Sequence, residues 1–205
     1  MNRVSEADRQ RWDTRYACDG LVMGPAPKPL VLELEPVLPR RGRALEIACG
    51  EGQLATWLAH RGLDVTAVDI SPVALDKLRS ESAARGLAGR IRVVEADLDE
   101  GLPPLEPGLA LVTCLDFYSP PLIAEARELL APGGMLLVQV VLQAPDGDSP
   151  HRAVPGEALG FAAGLHLHFY REGVTGGRAL AQLLAQRAPA DSLEFSGSGS
   201  ACRRR

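Results

Sequence analysis

The chain has no long apolar run. No stretch approaches the roughly twenty apolar residues that a membrane-spanning helix needs, and the opening Met1-Asn2-Arg3-Val4-Ser5-Glu6 has no apolar core of a secretion signal. A cytoplasmic location without a membrane partner is therefore expected. Cysteine is scarce and scattered. Cys18, Cys49, Cys114 and Cys202 include no C-x-x-C pair and no histidine at ligand spacing, which argues against both a zinc site and a disulfide framework. Basic charge is also short. Lys and Arg number 22 against 26 Asp and Glu, and the one basic cluster is the terminal Arg203, Arg204 and Arg205, so a nucleic-acid surface is disfavoured.

What is present suits one folded domain. The 205 residues are 46% hydrophobic and 23% charged, enough to bury a sizeable core. Residues 1–195 are expected to form that domain, and the Ser/Gly-rich stretch 196–205 to be a flexible tail. Nearly all basic residues are arginine, and Ala, Gly and Leu abound, a bias suited to a GC-rich bacterial source.

The chain is organised around Ala44 to Ala59. Ala44 to Ala48 is an apolar run of strand length, Gly50 and Gly52 permit a sharp turn, and Leu54, Trp57 and Leu58 have helical spacing. A strand turning through glycines into a helix aims free backbone N–H groups at a ligand. Asp69 ends the next apolar run, where a carboxylate can accept from ribose hydroxyls.

The same grammar runs through most of the chain. Ser5 and Asp8 resemble a capping box for a helix to Tyr16, with Trp12 and Tyr16 on one face. Gly24 to Pro29 is a stiff, proline-rich linker before a short helix at 30–38. Ser71-Pro72 and Ser119-Pro120 read as helix starts, N-cap followed by proline. Strands are expected at 64–70, 91–97, 109–115 and 135–142, with Pro132-Gly133-Gly134 closing the helix before the last of these. The alternation implies an α/β, Rossmann-like, doubly wound sheet whose ligand lies beyond the carboxyl ends of the strands, where Cys49, Asp69, Asp97 and Asp116 fall. Residues 143–156 read as a polar loop containing His151, 157–163 as a short helix, and 165–170 as a half-buried strand. Arg178 to Gln186 is ambiguous, helical by propensity but placed as a last strand would be.

Gly50-Glu51-Gly52-Gln53-Leu54-Ala55 fits the G-x-G-x-x-A nicotinamide fingerprint. Glu46 argues otherwise, because a carboxylate there suits an ammonium group and opposes a pyrophosphate. Asp97 and Leu98, ending the third strand, suit an exocyclic adenine N–H. With these residues the chain resembles class I S-adenosylmethionine-dependent methyltransferases, in the branch of tellurite-resistance and thiopurine-type enzymes, over roughly residues 11–187. The resemblance implies that Glu46, Ala48, Cys49, Gly50 and Gly52 hold the methionine end. By the same resemblance Asp69 with Ile70 holds the ribose, Asp97 with Leu98 holds the adenine, and Leu115 lies near the sulfonium. Ala48 replaces the family's first glycine, a departure that costs little if its φ stays negative. Trp12 and Arg15, in the helix over 5–17, resemble the segment that closes over the cofactor. The resemblance also implies seven strands with an antiparallel last strand, and so makes 178–186 a strand.

The implied reaction is methyl transfer from S-adenosyl-L-methionine to a small-molecule acceptor, with S-adenosyl-L-homocysteine as the product. A soft S, Se or Te nucleophile needs no strong base, whereas oxygen or nitrogen often does. Asp116, Tyr118 and His151 are the candidates for base or substrate contact. His166 and His168 share one strand face without ligand partners and read as structural. Ser119-Pro120-Pro121-Leu122 approximates the Pro-Pro-aromatic motif of amino methyltransferases but has Leu122 where that motif stacks a base. The competing functions are a nicotinamide-dependent oxidoreductase and a non-catalytic cofactor-binding homologue. The residues do not specify an oligomeric state.

Overall fold

The computed structural model describes residues 3–144, 147 and 149–190, with side chains from Glu6 onward. The Ser/Gly-rich stretch 196–205 lies outside the described residues. The chain opens with α1 (Arg3–Tyr16) and α2 (Pro29–Glu33), and then alternates: β1 (Gly42–Ile47), α3 (Gln53–His60), β2 (Leu63–Asp69), α4 (Pro72–Ala84), β3 (Ile91–Glu95), β4 (Leu109–Leu115), α5 (Pro120–Glu128), β5 (Leu130–Val141), β6 (His166–Thr175) and β7 (Arg178–Gln186). Short 3-10 turns occupy Leu98–Glu100 and Glu157–Ala162.

The strands form one seven-stranded sheet in the order β3-β2-β1-β4-β5-β7-β6. β1 pairs in parallel with β2 and β4, and β5 in parallel with β4, whereas β7 is antiparallel to both β5 and β6. The expected strand at 178–186 is therefore present despite its Ala/Leu propensity. Burial decides it: Ala181, Leu183, Leu184 and Ala185 all lie in the core. Gly176 and Gly177, both at positive φ, make the two-residue turn that joins β6 to β7.

Alternation along the strands supplies both faces. Leu45, Ile47, Val112 and Cys114 pack on the side of α5, while Ala44, Val65, Ala67 and Leu111 pack against α3 and α4 through Leu54, Leu58, Leu75 and Leu78. Strand order reverses between β1 and β4, and a crevice opens there at the carboxyl ends. No helix among the described residues is long and apolar enough to cross a membrane.

Three local expectations change. The first helix starts at Arg3, so Ser5 lies within it and is not its N-cap. Ser119 occupies the N-cap of α5 but makes no side-chain cap bond, whereas Ser71 accepts from the Ala74 N–H at 3.2 Å as expected. Pro132-Gly133-Gly134 is no turn before β5 but a register irregularity inside it: β4 pairs Leu109 with Leu130 and then Leu111 with Met135. A Cβ on Gly134 would sit 2.4 Å from the Leu109 carbonyl oxygen, so only glycine lets the strands approach there.

Candidate cofactor and acceptor site

β1 leaves the sheet at Ile47 and turns sharply. Ala48 (φ 53°), Gly50 (φ 53°) and Gly52 (φ 74°) are all left-handed, and Gly52 is the N-cap of α3. The negative φ on which a low cost of alanine at position 48 depends is not adopted. An L-residue there carries a strain of about 1 kcal/mol or more that glycine would avoid. The two glycines are required by space as well as by φ: a Cβ on Gly50 would lie 2.8 Å from the Tyr16 hydroxyl, and one on Gly52 would lie 2.3 Å from a Leu78 methyl.

Asp69 holds this turn against the end of β2. One carboxylate oxygen accepts from the Gly50 N–H at 2.7 Å and the other from the Ser71 N–H at 3.0 Å. Burial raises its pKa against the lowering effect of these and the Ile70 N–H. Both oxygens thus already have a backbone partner, and a ribose hydroxyl would be an additional donor on the remaining lone pairs.

A cavity of about 490 Å³ lies over the turn. Of the residues singled out by sequence, Trp12, Glu46, Ala48, Cys49, Gly50, Asp69, Ile70, Asp97, Leu98, Leu115, Asp116, Tyr118 and His151 line it. Gly52 does not line it and acts by shaping the turn. Arg15 does not line it either: it is exposed and stands 5.4 Å from the centre of the Trp12 ring, while Arg11 contributes to the wall. Also lining the cavity are Tyr16, which helical spacing pairs with Trp12 but does not by itself assign to the site, and Lys28. Tyr16 stacks on Trp12 with ring centroids 5.8 Å apart and is buried over Gly50, and the helical spacing of the two aromatics was the signal available for it. Lys28 sits in the proline-rich segment, where nothing in the sequence marks it.

Among the described residues, two carboxylate oxygens in this cavity are buried without a partner. Glu46 Oε2 and Asp97 Oδ2 accept no hydrogen bond, although Asp97 Oδ1 takes the Asp99 N–H at 3.0 Å. A buried unpaired acceptor is costly, of order 1–3 kcal/mol. Burial pushes the Glu46 carboxyl up to about 8, against lowering by the Ala55 N–H and with further raising by Asp69. Burial also raises the Cys49 thiol well above its ordinary range, which makes it a poor nucleophile.

The candidates for proton transfer are all engaged or peripheral. Burial alone would raise Asp116, but hydrogen bonds from Lys28, Gln139 and Arg178 hold its carboxyl below the usual range, and its φ is 64°. Tyr118 donates to Glu157, and burial together with that carboxylate pushes its hydroxyl up to about 12. His151 lies exposed at the wall. His166 and His168 stand at the start of β6 and do not line the cavity; their rings meet edge to face at 4.8 Å, with His168 paired to Gln186. No group of three metal-ligating side chains occurs among the described residues.

Comparison with known proteins agrees with this geometry. Residues 44–134 match the family model described as a methyltransferase domain. A ubiquinone biosynthesis O-methyltransferase of Xylella fastidiosa (strain 9a5c) is 31% identical over 103 residues, covering 48% of this chain and 42% of that protein. A ribosomal RNA small subunit methyltransferase C of Alcanivorax borkumensis is 32% identical over 107 residues, covering 48% and 32%. The chain thus spans less than half the length of these relatives. Among solved structures, the [4+2]-cyclase SpnF superposes with a TM-score of 0.71 at 18% identity, covering 90% of this chain and 97% of that one. TehB from Haemophilus influenzae does so with 0.66 at 16%, covering 87% and 66%. At these identities the structures establish the fold alone, and a cyclase among them shows that this fold does not choose one reaction. By sheet order and superposition the chain has the Rossmann-like fold of these neighbours, and residues 44–134 are similar to a methyltransferase domain.

Proposed function

We propose that the protein transfers a methyl group from S-adenosylmethionine to a small-molecule acceptor with a soft nucleophilic atom. The observation that carries the cofactor assignment is the pair of unpartnered buried carboxylate oxygens, Glu46 Oε2 and Asp97 Oδ2, in one cavity. S-adenosylmethionine offers a donor for each, the ammonium of its methionine end and the exocyclic amine of its adenine. A dinucleotide would instead bring its pyrophosphate to the glycine turn beside Glu46, which offers a phosphate an acceptor and no cationic partner.

When bound, S-adenosylmethionine supplies a methyl group already made electrophilic by its sulfonium charge. The chain's own residues then have to bind, align and exclude water. Glu46 receives the ammonium, Asp69 with Ile70 the ribose, and Asp97 with Leu98 the adenine. Trp12 and Tyr16 on α1 cover the turn, and Leu115 forms the apolar wall at the reacting centre. Asp116, held ionised by cations, serves as an anchor and not as a base. Tyr118, with its hydroxyl raised and donating to Glu157, is likewise no ready proton acceptor. A thiolate, selenide or tellurium nucleophile suits such a site better than an alcohol does, which is the acceptor class of the tellurite-resistance and thiopurine branch.

Calorimetry with S-adenosylhomocysteine and NADH side by side tests the cofactor. Micromolar binding of the former and none of the latter is expected, and the reverse order would overturn the assignment. The relatives' names include an RNA methyltransferase, and the neighbours include a cyclase, so a turnover panel of thiols, metalloid anions, phenols and RNA follows. Background release of S-adenosylhomocysteine across that whole panel would favour the non-catalytic reading.

A further inference from the structure

The cavity brings carboxylates and cations together. Glu46, Asp69 and Asp97 bring carboxylates to the end formed by β1, β2 and β3. At the tip of β4, Asp116 collects donors instead: Gln139 Nε2 reaches Oδ1 at 2.8 Å, and Lys28 Nζ and Arg178 Nη1 each reach Oδ2 at 2.9 Å. Two cations on one carboxylate leave a surplus of one positive charge.

A polar relay prevents Asp116 from turning away. Arg171 donates to Gln182 Oε1 through Nε at 2.9 Å and Nη2 at 2.7 Å, and Gln182 Nε2 donates to Gln139 Oε1 at 2.7 Å. With its carbonyl occupied, Gln139 must present its amide N–H to Asp116. Gln139 and Gln182 are both buried, so these directions are costly to reverse.

The two cations differ in where they face. Arg178 has a half-exposed side chain and does not line the cavity, whereas Lys28 does. Arg178 therefore compensates Asp116 from outside; inside, Lys28 also draws down the Glu46 carboxyl, and once an ammonium claims Glu46 the charge of Lys28 is left uncancelled. The Lys28 ammonium has N–H groups beyond the one directed at Asp116, and among the described residues Asp116 is its hydrogen-bond partner.

Resting on the methyltransferase reading above, we propose that Lys28, seated on Asp116, is an acceptor-binding residue that selects a small anion as the methyl acceptor. A thiol that also carries a carboxylate is the simplest such molecule. Its carboxylate pairs with Lys28 while its thiolate sulfur faces the methyl group. The new S–CH3 bond forms as the sulfonium C–S bond breaks, the bonding electron pair stays on the cofactor sulfur as a neutral thioether, and no proton moves at that step. The acceptor loses one negative charge on the sulfur, and its carboxylate keeps the second.

Protein loaded with S-adenosylhomocysteine is titrated by calorimetry with three thiols of similar size: 3-mercaptopropionate, 2-mercaptoethanol and cysteamine. The anionic thiol is expected to bind at least about tenfold more tightly than the other two, a gap of about 1.4 kcal/mol. Lys28→Met should remove that preference and Lys28→Arg should keep most of it. Equal affinities, a preference for cysteamine, no saturable binding of 3-mercaptopropionate, or a preference that survives Lys28→Met would each overturn the proposal. The loading step is read first: if S-adenosylhomocysteine fails to bind the wild-type protein, the cofactor assignment itself falls, whereas loading followed by no charge discrimination sinks the Lys28 assignment alone. Normal loading of Lys28→Met shows that the variant is folded.

Discussion

The Ser71 hydroxyl donates to Asp13 Oδ1 at 2.6 Å while accepting from the Ala74 N–H at 3.2 Å. One side chain thus caps α4 and ties it to α1, the helix whose Trp12 and Tyr16 cover the glycine turn. Lys77 on the same helix adds bonds to the Cys18 and Gly20 carbonyls and to Glu51. The cover is fastened at several points along α4 and is not a free arm.

Asp13→Ala should release α1 without disturbing the α4 cap. We expect S-adenosylhomocysteine to dissociate about tenfold faster and the melting temperature to fall by several degrees, because the charge-assisted bond from Ser71, worth roughly 1.5–3 kcal/mol, is lost together with the Arg9 pair at 3.6 Å. Stopped-flow fluorescence of Trp12 measures it. An unchanged off-rate would mean that α1 does not gate the cavity.

Ala48→Gly relieves a left-handed φ. The unfolded chain gains entropy from the new glycine, which offsets part of the benefit, so the expected net gain is about 0.5–1 kcal/mol. Gly50→Ala should do the opposite and by more, since it adds both strain and a contact 2.8 Å from the Tyr16 hydroxyl. Urea unfolding of the two variants should move the midpoints in opposite directions.

Glu46 should couple cofactor binding to pH. With its carboxyl pushed up to about 8, against an unfolded value of 4.5, the folded protein without cofactor holds a proton that the unfolded chain has lost between those two pH values. Stability therefore falls as pH rises through that window. An ammonium ligand needs the carboxylate, so binding at pH 7 should release close to one proton, and affinity should weaken as pH falls below about 8. Calorimetry in buffers of different ionisation enthalpy counts the proton. Glu46→Gln should abolish the release and flatten the stability profile; a release that persists in the variant would move the proton to another group.

Asp69→Ala removes the acceptor of two backbone N–H groups. Leaving them unpaired should destabilise the fold by about 1–3 kcal/mol for each one that water cannot reach, and cofactor affinity should drop more than tenfold. Unchanged affinity would contradict the ribose assignment.

Much of the site was legible from residue order. Glu46, Asp69 and Asp97 fall at or near strand ends because a parallel β-α repeat brings every second element to one edge, and such a repeat shows in apolar runs and Ser-Pro helix starts. The left-handed φ of Ala48 was not legible: an alanine signals no such conformation, and only the closure of the turn between Cys49 N–H, bonded to the Val68 carbonyl at 2.9 Å, and Gly50 imposes it. The irregularity at Pro132-Gly133-Gly134 is not legible for a similar reason, since the same tripeptide serves a turn or a strand irregularity according to the neighbouring strand.

The order of strands and helices, the glycine turn and the line of acidic residues above it follow from the sequence by itself, because each depends on contacts within a few residues or on a repeating period. Tertiary structure decided what each carboxylate does. Asp69 is occupied by backbone N–H groups, Glu46 and Asp97 each keep a free oxygen, and Asp116 is claimed by Lys28 and Arg178, which lie 88 and 62 residues away in the chain. Hydrogen-bond partners drawn from such separations leave no local pattern, so the division between acids that keep a free oxygen and an acid held by cations exists only in the folded chain.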